Sequence, residues 1–325
     1  MATIAGKPVG PVGYGMMNLT WREDPIPDEQ AFATLKAALN AGSNMWNGGT
    51  FYGKPESNSL QLLNRYFTKY PEDADKVVLS IKGAITTDGG PPKPSGTNAI
   101  INADIDNALK ILDGKKTIDI FEMARQDPNT PLEESAETLR RCLNEKKIGG
   151  IGLSEVNADQ IKANAALMPI AAVEIELSLQ TPDILSNGVA TACRELNIPI
   201  VAYSPLGRGL LTSAVTSLDD LDKNDIRRRL PRFSPENITK NTQLRQELQK
   251  VAKSKGCSEA QVAIAWVRSF SGREGFPTVI PIPGSTTQAR ATENSNVPEL
   301  TQDEFQEIEQ IRQRNSISGA RYPEH

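Results

Sequence analysis

Short apolar runs alternate with amphipathic stretches from one end of the chain to the other. Runs rich in valine, isoleucine and aromatic residues predict β-strands, and near-continuous apolar character is typical of parallel strands buried on both faces. These runs occupy residues 43–47, 76–82, 118–124, 147–154, 170–176, 198–204 and 278–283. The stretch VGPVGYG at 9–15 predicts a weaker first strand, because its glycines and proline interrupt the pattern. The pattern therefore predicts eight strands.

The stretches between the strands carry helix signals. In one of them Thr130 is a predicted N-cap, Pro131 suits the first helical position, and Glu133 completes a capping box. Apolar residues then recur at spacings of four, three and four, which places them on one helix face. Thr301 and Glu304 predict a second capping box near the end of the chain.

Strand and helix alternate about eight times, which predicts a parallel sheet closed into a single (β/α)8 TIM barrel over residues 1–325. The main alternative is a doubly wound nucleotide-binding sheet, which needs GxGxxG after its first strand. The chain has only GYG at 13–15, and MMNLTW follows it instead of a helix start. The barrel is favoured, with its active site at the C-terminal ends of the strands. An irregular stretch at 207–240 is long enough to cover the barrel mouth.

Charge and cysteine content narrow the possible partners and the compartment. The 36 basic and 40 acidic residues give a net charge of -4, so no basic surface for nucleic acid is expected, and a small molecule is the expected partner. Cys142, Cys193 and Cys257 lie far apart in segments that read as helical, which predicts reduced thiols. Neither a signal peptide nor an apolar run of ~20 residues is recognised, so a cytoplasmic location without membrane insertion is expected.

Histidine is nearly absent, and this restricts the chemistry most. The single histidine is His325. An internal Ser–His–Asp unit and a histidine-rich metal site are therefore excluded, and no metal is predicted. Catalysis has to use tyrosine, lysine, carboxylates, arginine or a bound cofactor.

A tyrosine and a lysine at strand ends are the first catalytic candidates. Lys82 ends the buried run VVLSIK, where its charge is costly unless it is used. Beside the hydroxyl of Tyr52, it would lower a tyrosine pKa that starts near ~10 and so make Tyr52 a general acid. The alternative is that Lys82 extends to solvent and Tyr52 is an aromatic residue of the rim.

Six sequence blocks, in order, resemble the aldo-keto reductase family of barrel enzymes, which reduce carbonyls with a nicotinamide cofactor. The blocks are GYGMMNLTW, WNGGTFYG, SIKG, GIGLSEVN, AYSPLGRGLL and IPIPGSTTQARATEN. The resemblance implies that Tyr52 is the proton donor and Lys82 its partner. It further implies a set of cofactor-binding residues: Ser154, Glu174, Tyr203, Ser204, Leu206, Gly207, Gly209, Ser285, Arg290, Glu293 and Asn294.

Within this set, Ser285 and Arg290 would hold a 2′-phosphate, so NADP(H) is expected in preference to NAD. Without the resemblance, Arg290 is a surface arginine of a helix. The basic run RRRLPR at 227–232 is interpreted as a solvated loop face, with a contact to the cofactor phosphate as the alternative.

Three positions depart from the family pattern. Asn47 replaces an aspartate, Ala124 replaces a histidine, and Glu174 replaces a glutamine. Asn47 remains in the predicted catalytic set, because it can accept a hydrogen bond from Lys82. Since an amide cannot balance the lysine charge, the pKa of Tyr52 is expected to fall further.

The asparagine and the small residue both recur in the pyridoxal reductases, which the segment FEMARQD also resembles. The predicted reaction is therefore NADPH-dependent reduction of an aldehyde, with pyridoxal to pyridoxine as the first choice. Trp21, Ala124 and Arg125 are the candidate substrate residues. The alternatives are a general aldehyde reductase and an NADP-binding regulatory module with low turnover.

Overall fold

Eight parallel strands form a barrel in the computed structural model, which describes residues 2–86 and 92–323. Neighbours in the chain are neighbours in the sheet. The strands are β1 (Tyr14–Gly15), β2 (Met45–Gly49), β3 (Val78–Gly83), β4 (Ile120–Met123), β5 (Ile151–Ser154), β6 (Ile170–Glu176), β7 (Ile200–Tyr203) and β8 (Val279–Pro281). The Gly13 N–H donates to Pro281 O at 2.9 Å, and Gly15 bridges Gly284, which joins the two edge strands. The predicted (β/α)8 barrel is confirmed.

The helices follow the strands and pack on the outside of the barrel. They are α1 (Met17–Thr20), α2 (Asp28–Asn40), α3 (Ser59–Lys69), α4 (Asn98–Leu112), α5 (Leu132–Asn144), α6 (Ala158–Leu167), α7 (Val189–Glu195), α8 (Pro235–Lys255), α9 (Glu259–Arg268), α10 (Gln288–Ser295) and α11 (Gln302–Arg314). Outward-pointing strand residues supply the other half of this layer. Trp46, for example, packs edge-on against Tyr66 of α3, with ring centroids 5.2 Å apart.

The N-terminal end of the barrel is closed by a short hairpin, in which Ala2–Ile4 pairs with Lys7–Val9. Ile4 and Val9 pack against one inward side chain from most barrel strands, so this end is a dry apolar layer. Its strand residues are Met45, Val78, Ile120, Ala172, Val201 and Ile280. The residues predicted for catalysis lie at the opposite end of the strands.

Several predicted element boundaries are shifted, and two of these shifts have an identifiable cause. Residues 9–15 are split, because Val9 belongs to the closing hairpin and only Tyr14–Gly15 enter the barrel. Helix α5 begins at Leu132 with Pro131 as its N-cap and without a side-chain cap. The Thr130 hydroxyl instead donates to Asp127 at 2.6 Å, because that carboxylate lies within reach in the loop. The Thr301–Glu304 capping box is confirmed.

Two other expectations change in detail. Cys142 and Cys193 lie in helices, but Cys257 lies in the turn between α8 and α9, and all three are free thiols. The irregular stretch is shorter than predicted, because Pro235 begins α8 and only four short 3-10 turns precede it. No helix in the described ranges is long and apolar enough to cross a membrane. His325 lies outside the described residues.

Candidate active site

Tyr52 lies in the loop between β2 and α3, and its backbone is firmly held. The Thr20 hydroxyl donates to Tyr52 O at 2.6 Å. Asn58 caps α3 and also donates to Thr50 O at 2.8 Å, which ties the loop to the helix. A Cβ at Gly49 would lie 2.9 Å from the Tyr52 ring, so glycine is required there. The Tyr52 side chain is thereby buried over the C-terminal end of the barrel, with 8% exposure.

Beneath Tyr52, four buried side chains from β2, β3, β4 and β6 form one polar cluster: Asn47, Lys82, Glu122 and Glu174. The Lys82 ammonium donates to Asn47 Oδ1 at 2.9 Å and to Glu174, and it lies 3.4 Å from Glu122 Oε2. Asn47 in turn donates to Glu174 Oε2 at 2.6 Å. None of the four is more than 4% exposed. Lys82 therefore does not extend to solvent, which excludes the alternative interpretation of its position.

The expected fall in the pKa of Tyr52 is wrong. Burial raises this pKa to about 12, and the positive charge of Lys82 lowers it only in part, because Glu174 and Glu122 act in the opposite direction. Burial alone would lower the pKa of Lys82, but the carboxylates of Glu122 and Glu174 outweigh it and keep the ammonium charged. The charge that Asn47 cannot balance is thus balanced from β4 and β6. Tyr52 is consequently a fully protonated hydroxyl at neutral pH.

Glu122 was missed in the sequence, and Glu174 has an unforeseen contact. Glu174 was assigned to the cofactor from the resemblance, whereas its carboxylate contacts Lys82 and Asn47. Glu122 sits inside the apolar run IFEM, where a buried carboxylate is costly without a partner. That interruption of an apolar strand was the signal available in the sequence.

An aromatic surface borders Tyr52 at the barrel mouth. Trp21 stacks on Tyr52 with ring centroids 5.3 Å apart, and Phe51 packs edge-on against both. Trp21 is 41% exposed, so one side of this surface is open to a ligand. Ala124 is buried at the end of β4, and the Arg125 guanidinium folds back onto its carbonyl at 2.6 Å. Of the three predicted substrate residues, Trp21 thus forms an open aromatic wall and Ala124 offers a small side chain. Arg125 already donates a hydrogen bond within the protein.

Two buried hydroxyl groups of the described residues are left without a hydrogen-bond partner. Within residues 2–86 and 92–323, Ser154 Oγ at the end of β5 and Ser285 Oγ after β8 are buried without a hydrogen-bond partner. Such orphaned groups are costly unless a ligand or water binds them. Both belong to the set predicted for a nicotinamide cofactor, and a carboxamide and a phosphate are groups that hydroxyls can hold.

The other predicted cofactor residues divide between two segments. Ser204, Leu206, Gly207 and Gly209 form the turn after β7, in which Ser204 adopts a positive φ of 51°. Arg290, Glu293 and Asn294 lie on α10, whose N-cap is Thr287. The Arg290 side chain is exposed, whereas Asn294 is buried. The structure therefore brings Ser204–Gly209 and α10 to the same end of the barrel as Tyr52.

A C-terminal segment reaches the mouth and contacts Tyr203, which the sequence did not indicate. The Arg321 guanidinium donates to Glu176, Glu155 and the Tyr203 hydroxyl at 2.9–3.0 Å. Arg208 donates to the Tyr322 hydroxyl at 2.8 Å. These contacts fasten the segment after α11 across β5, β6 and β7. Tyr203, one of the predicted cofactor-binding residues, is therefore oriented by a side chain 118 positions away.

The basic run at 227–232 is not a solvated face. Arg227 donates to Asp225 and to Arg208 O, Arg228 donates to Leu218 O and Leu221 O, and Arg232 donates to Thr181 and Gly319 O. Guanidinium groups here satisfy the backbone carbonyls of an irregular loop. Arg229 is the exposed exception.

No group of three or more histidine, cysteine, aspartate or glutamate side chains in the described part of the chain is arranged to hold a metal ion. The chemical capacity of the site instead resides in a buried hydroxyl, an adjacent ammonium and two carboxylates. This arrangement can protonate a developing oxyanion on a bound substrate.

Comparisons with known proteins show the family of the chain. The aldo/keto reductase family profile matches residues 11–313. A probable pyridoxal reductase 2 of Schizosaccharomyces pombe is 39% identical over 99% of this chain and 97% of its own, and a putative pyridoxal reductase of Saccharomyces cerevisiae is 36% identical over 95% of each. A glycerol dehydrogenase of Gluconobacter oxydans matches the fold with a TM-score of 0.84 at 24% identity, over 99% of this chain and 97% of that one. The chain belongs to the aldo/keto reductase family of oxidoreductases.

Proposed function

We propose that this protein is an NADPH-dependent aldehyde reductase, with pyridoxal reduction to pyridoxine as its principal reaction. The observation that carries the proposal is the pairing of Tyr52 and Lys82. The buried Lys82 ammonium lies 5.9 Å from the centroid of the buried Tyr52 ring, at the end of the barrel where catalytic residues collect. An aromatic wall formed by Trp21 and Phe51 borders it.

In this proposal, NADPH supplies the hydride for the aldehyde carbon. Tyr52 donates its proton to the carbonyl oxygen, and the Lys82 ammonium stabilises the tyrosinate that remains. Asn47 accepts a hydrogen bond from Lys82 and fixes its position. Because Tyr52 is protonated across the physiological pH range, its hydroxyl carries the proton to be donated at the start of each turnover.

Preference for NADP(H) is supported by the residues around the predicted phosphate position. The orphaned Ser285 hydroxyl and the exposed Arg290 guanidinium can bind a 2′-phosphate, and Ser154 can bind a carboxamide. Tyr203 would stack on the nicotinamide, and Glu293 and Asn294 would contact the adenine. A relative that is 32% identical over 98% of this chain, an aldo-keto reductase of Schizosaccharomyces pombe, carries NADP(+) in its name.

The substrate assignment depends on Ala124 and on the relatives. A small residue at the end of β4 leaves space for a pyridine ring but provides no imidazole to polarise the carbonyl. Pyridoxal has a phenolic hydroxyl beside its aldehyde, and this internal hydrogen bond supplies the missing polarisation. The two relatives named as pyridoxal reductases support the same substrate.

Paired substrates test this assignment against the alternative of a general aldehyde reductase. Salicylaldehyde has the neighbouring hydroxyl and benzaldehyde lacks it. We expect a higher kcat/KM for salicylaldehyde after correction for intrinsic reactivity, and Ala124→His should slow pyridoxal while sparing small plain aldehydes. Equal efficiencies for the two aldehydes would remove the argument for pyridoxal.

Tyr52→Phe tests the central role. The substitution keeps the ring against Trp21 and removes only the donated proton. We expect kcat to fall by roughly 10²- to 10⁴-fold, with NADPH affinity nearly unchanged. NADPH consumption with pyridoxal as substrate measures the first quantity, and quenching of protein fluorescence measures the second. A variant that retains most of its activity would refute Tyr52 as the donor, and negligible turnover by the wild type would favour a regulatory module.

Two broader features complete the proposal. Residues 1–325 would form a single functional domain, which limited proteolysis of the cofactor-bound protein can test by the absence of a stable fragment. A cytosolic location is supported by the three free thiols, since reduced cysteines are typical of that compartment. Fractionation of cells expressing the tagged chain would locate it directly.

A further inference from the structure

The polar cluster below Tyr52 contains one more carboxylate than the lysine can balance. The ammonium of Lys82 faces Glu122 and Glu174, while Asn47 is neutral. We propose that Glu122 and Glu174 hold one proton between them, and that this proton is returned to Tyr52 through Lys82 after each reduction. The inference rests on the proposed function, because it concerns how the proton donor is reloaded.

Charge balance is the first argument. With both carboxylates ionised, the cluster would carry a net charge of minus one in a region where all four side chains are at most 4% exposed. An uncompensated buried charge is costly, and two adjacent carboxyl groups relieve the cost by sharing a proton. One shared proton makes the cluster neutral. In agreement, burial and the nearby charge of Glu122 raise the pKa of Glu174 to about 8, in spite of the opposing charge of Lys82.

The barrel is built to hold the two carboxyl groups together. Gly152 on β5 lies beside Glu122 on β4, and a Cβ at Gly152 would stand 2.4 Å from Glu122 Cγ. Because Gly152 has no side chain, Glu122 can occupy the space beside it. Ser80 donates to Glu122, and Asn47 donates to Glu174 at 2.6 Å and approaches Glu122 at 3.4 Å. Neutral donors thus hold both groups in place.

Lys82 connects this pair with Tyr52. Its ammonium donates to Glu174 and lies 5.9 Å from the centroid of the Tyr52 ring. After reduction Tyr52 is a tyrosinate. One N–H bond of the ammonium then breaks as the tyrosine O–H bond forms, and the shared carboxyl proton restores the ammonium. The two carboxylates finally take up one proton from solvent, which balances the proton given to the alcohol. Glu122 and Glu174 are in this sense positioning residues, since they act through Lys82.

The first test needs neither cofactor nor turnover. A protonated carboxyl group has an infrared carbonyl stretch that a carboxylate lacks and that shifts in deuterium oxide. We expect the cofactor-free wild type to show such a band at neutral pH, and Glu174→Gln and Glu122→Gln each to lose it. Glu176→Gln is the matched control, because Glu176 is equally buried on the same strand but binds Arg321. This control should keep the band.

The second test separates reloading from the chemical step. In Glu174→Gln, hydride transfer in a single turnover should stay within about threefold of the wild type, whereas kcat should fall by about tenfold and recover with rising buffer concentration. A role in cofactor binding alone would raise the KM for NADPH without buffer dependence. If Glu174→Gln fails to fold, Gly152→Ala displaces Glu122 instead and should give the same buffer dependence.

These experiments distinguish failure of the shared-proton inference from failure of the proposed reductase function. Wild-type protein without a protonated carboxyl band, or a Glu174→Gln variant with unchanged, buffer-independent kcat, overturns the shared proton as the source for Tyr52. If Tyr52→Phe is inactive at the same time, the proposed function stands and only this inference falls. If Tyr52→Phe remains active, the proposed function itself fails, whatever the glutamates do.

Discussion

The two ends of the barrel interior differ completely, although the same strands build both. At the N-terminal end, Val78 and Ile120 pack in a dry layer sealed by the hairpin. Two residues further along these strands, Ser80 and Glu122 point inward, and Lys82 follows after two more. Because side chains on a strand alternate with period two, each of these two strands carries an apolar inward residue at one end and polar residues further along.

The comparison shows that stability and chemistry occupy separate layers of one core. The apolar layer needs only shape complementarity, so its residues are interchangeable within volume limits. The polar layer is fixed by charge, because each buried group there depends on a partner from another strand. Substitutions in the two layers should therefore affect different measurements.

The largest expected effect comes from removing the cation of the polar layer. Lys82→Met should lower kcat by roughly 10²- to 10⁴-fold, about 3 to 5 kcal/mol of barrier, because the tyrosinate loses its stabilising charge. The double variant with Tyr52→Phe should lose little more than either single variant, since the pair acts as a unit. Steady-state kinetics with pyridoxal gives kcat for the two single variants and the double variant. Additive losses would show that the two residues act separately.

The apolar layer should respond in the opposite way. Ile120→Ala leaves a cavity in a fully buried layer and should lower the free energy of unfolding by about 2 to 4 kcal/mol. Its kcat should stay within about threefold of the wild type, because Ile120 lies below the cluster. Denaturant unfolding and kinetics on the same preparation provide the check. A large loss of activity without loss of stability would contradict the claim that the apolar layer contributes to stability and the polar layer to catalysis.

The cofactor end of the mouth should be separable from the chemistry. Arg290→Ala should weaken NADPH binding by about 1.5 to 3 kcal/mol, the contribution of a charge-assisted hydrogen bond, and leave NADH binding nearly unchanged. Titration with each cofactor gives the two affinities. Equal losses for both would show that Arg290 does not contact the 2′-phosphate.

The smallest effect concerns the pH dependence of stability. The pKa of Glu174 is raised from 4.5 to about 8 in the folded protein. The contribution of Glu174 to the free energy of unfolding is therefore complete below about pH 4.5 and is lost as pH rises through about 8. Glu174→Gln resembles the protonated form and should be more stable than the wild type at pH 9, by about 1 to 3 kcal/mol. At pH 5 the difference should nearly vanish. Melting curves at both pH values test this, and an equal difference at both would contradict it.

The sequence alone indicated the barrel, because strand and helix alternate about eight times and the glycine motif of the open, doubly wound alternative is absent after the first strand. It also singled out Lys82 as a candidate, since a lysine inside an apolar strand is a local exception, whereas Tyr52 became the candidate proton donor through the resemblance of WNGGTFYG to a family block. The helix start at Leu132 was misplaced because the Thr130 hydroxyl donates to Asp127, three residues earlier in the same loop, and does not cap the helix.

Only the tertiary structure decided what surrounds the pair. Glu122 and Glu174 lie 40 and 92 positions from Lys82, yet barrel closure brings their carboxylates to it. Burial, assisted by these two carboxylates, raises the pKa of Tyr52 where the sequence predicted a fall. Arg321 reaches Tyr203 from 118 positions away in the same manner. Electrostatic effects depend on distances in space and on burial, and neither is encoded in local periodicity. The sequence therefore shows which ionisable residues are present, whereas only folding brings them together and sets the charge balance around Lys82.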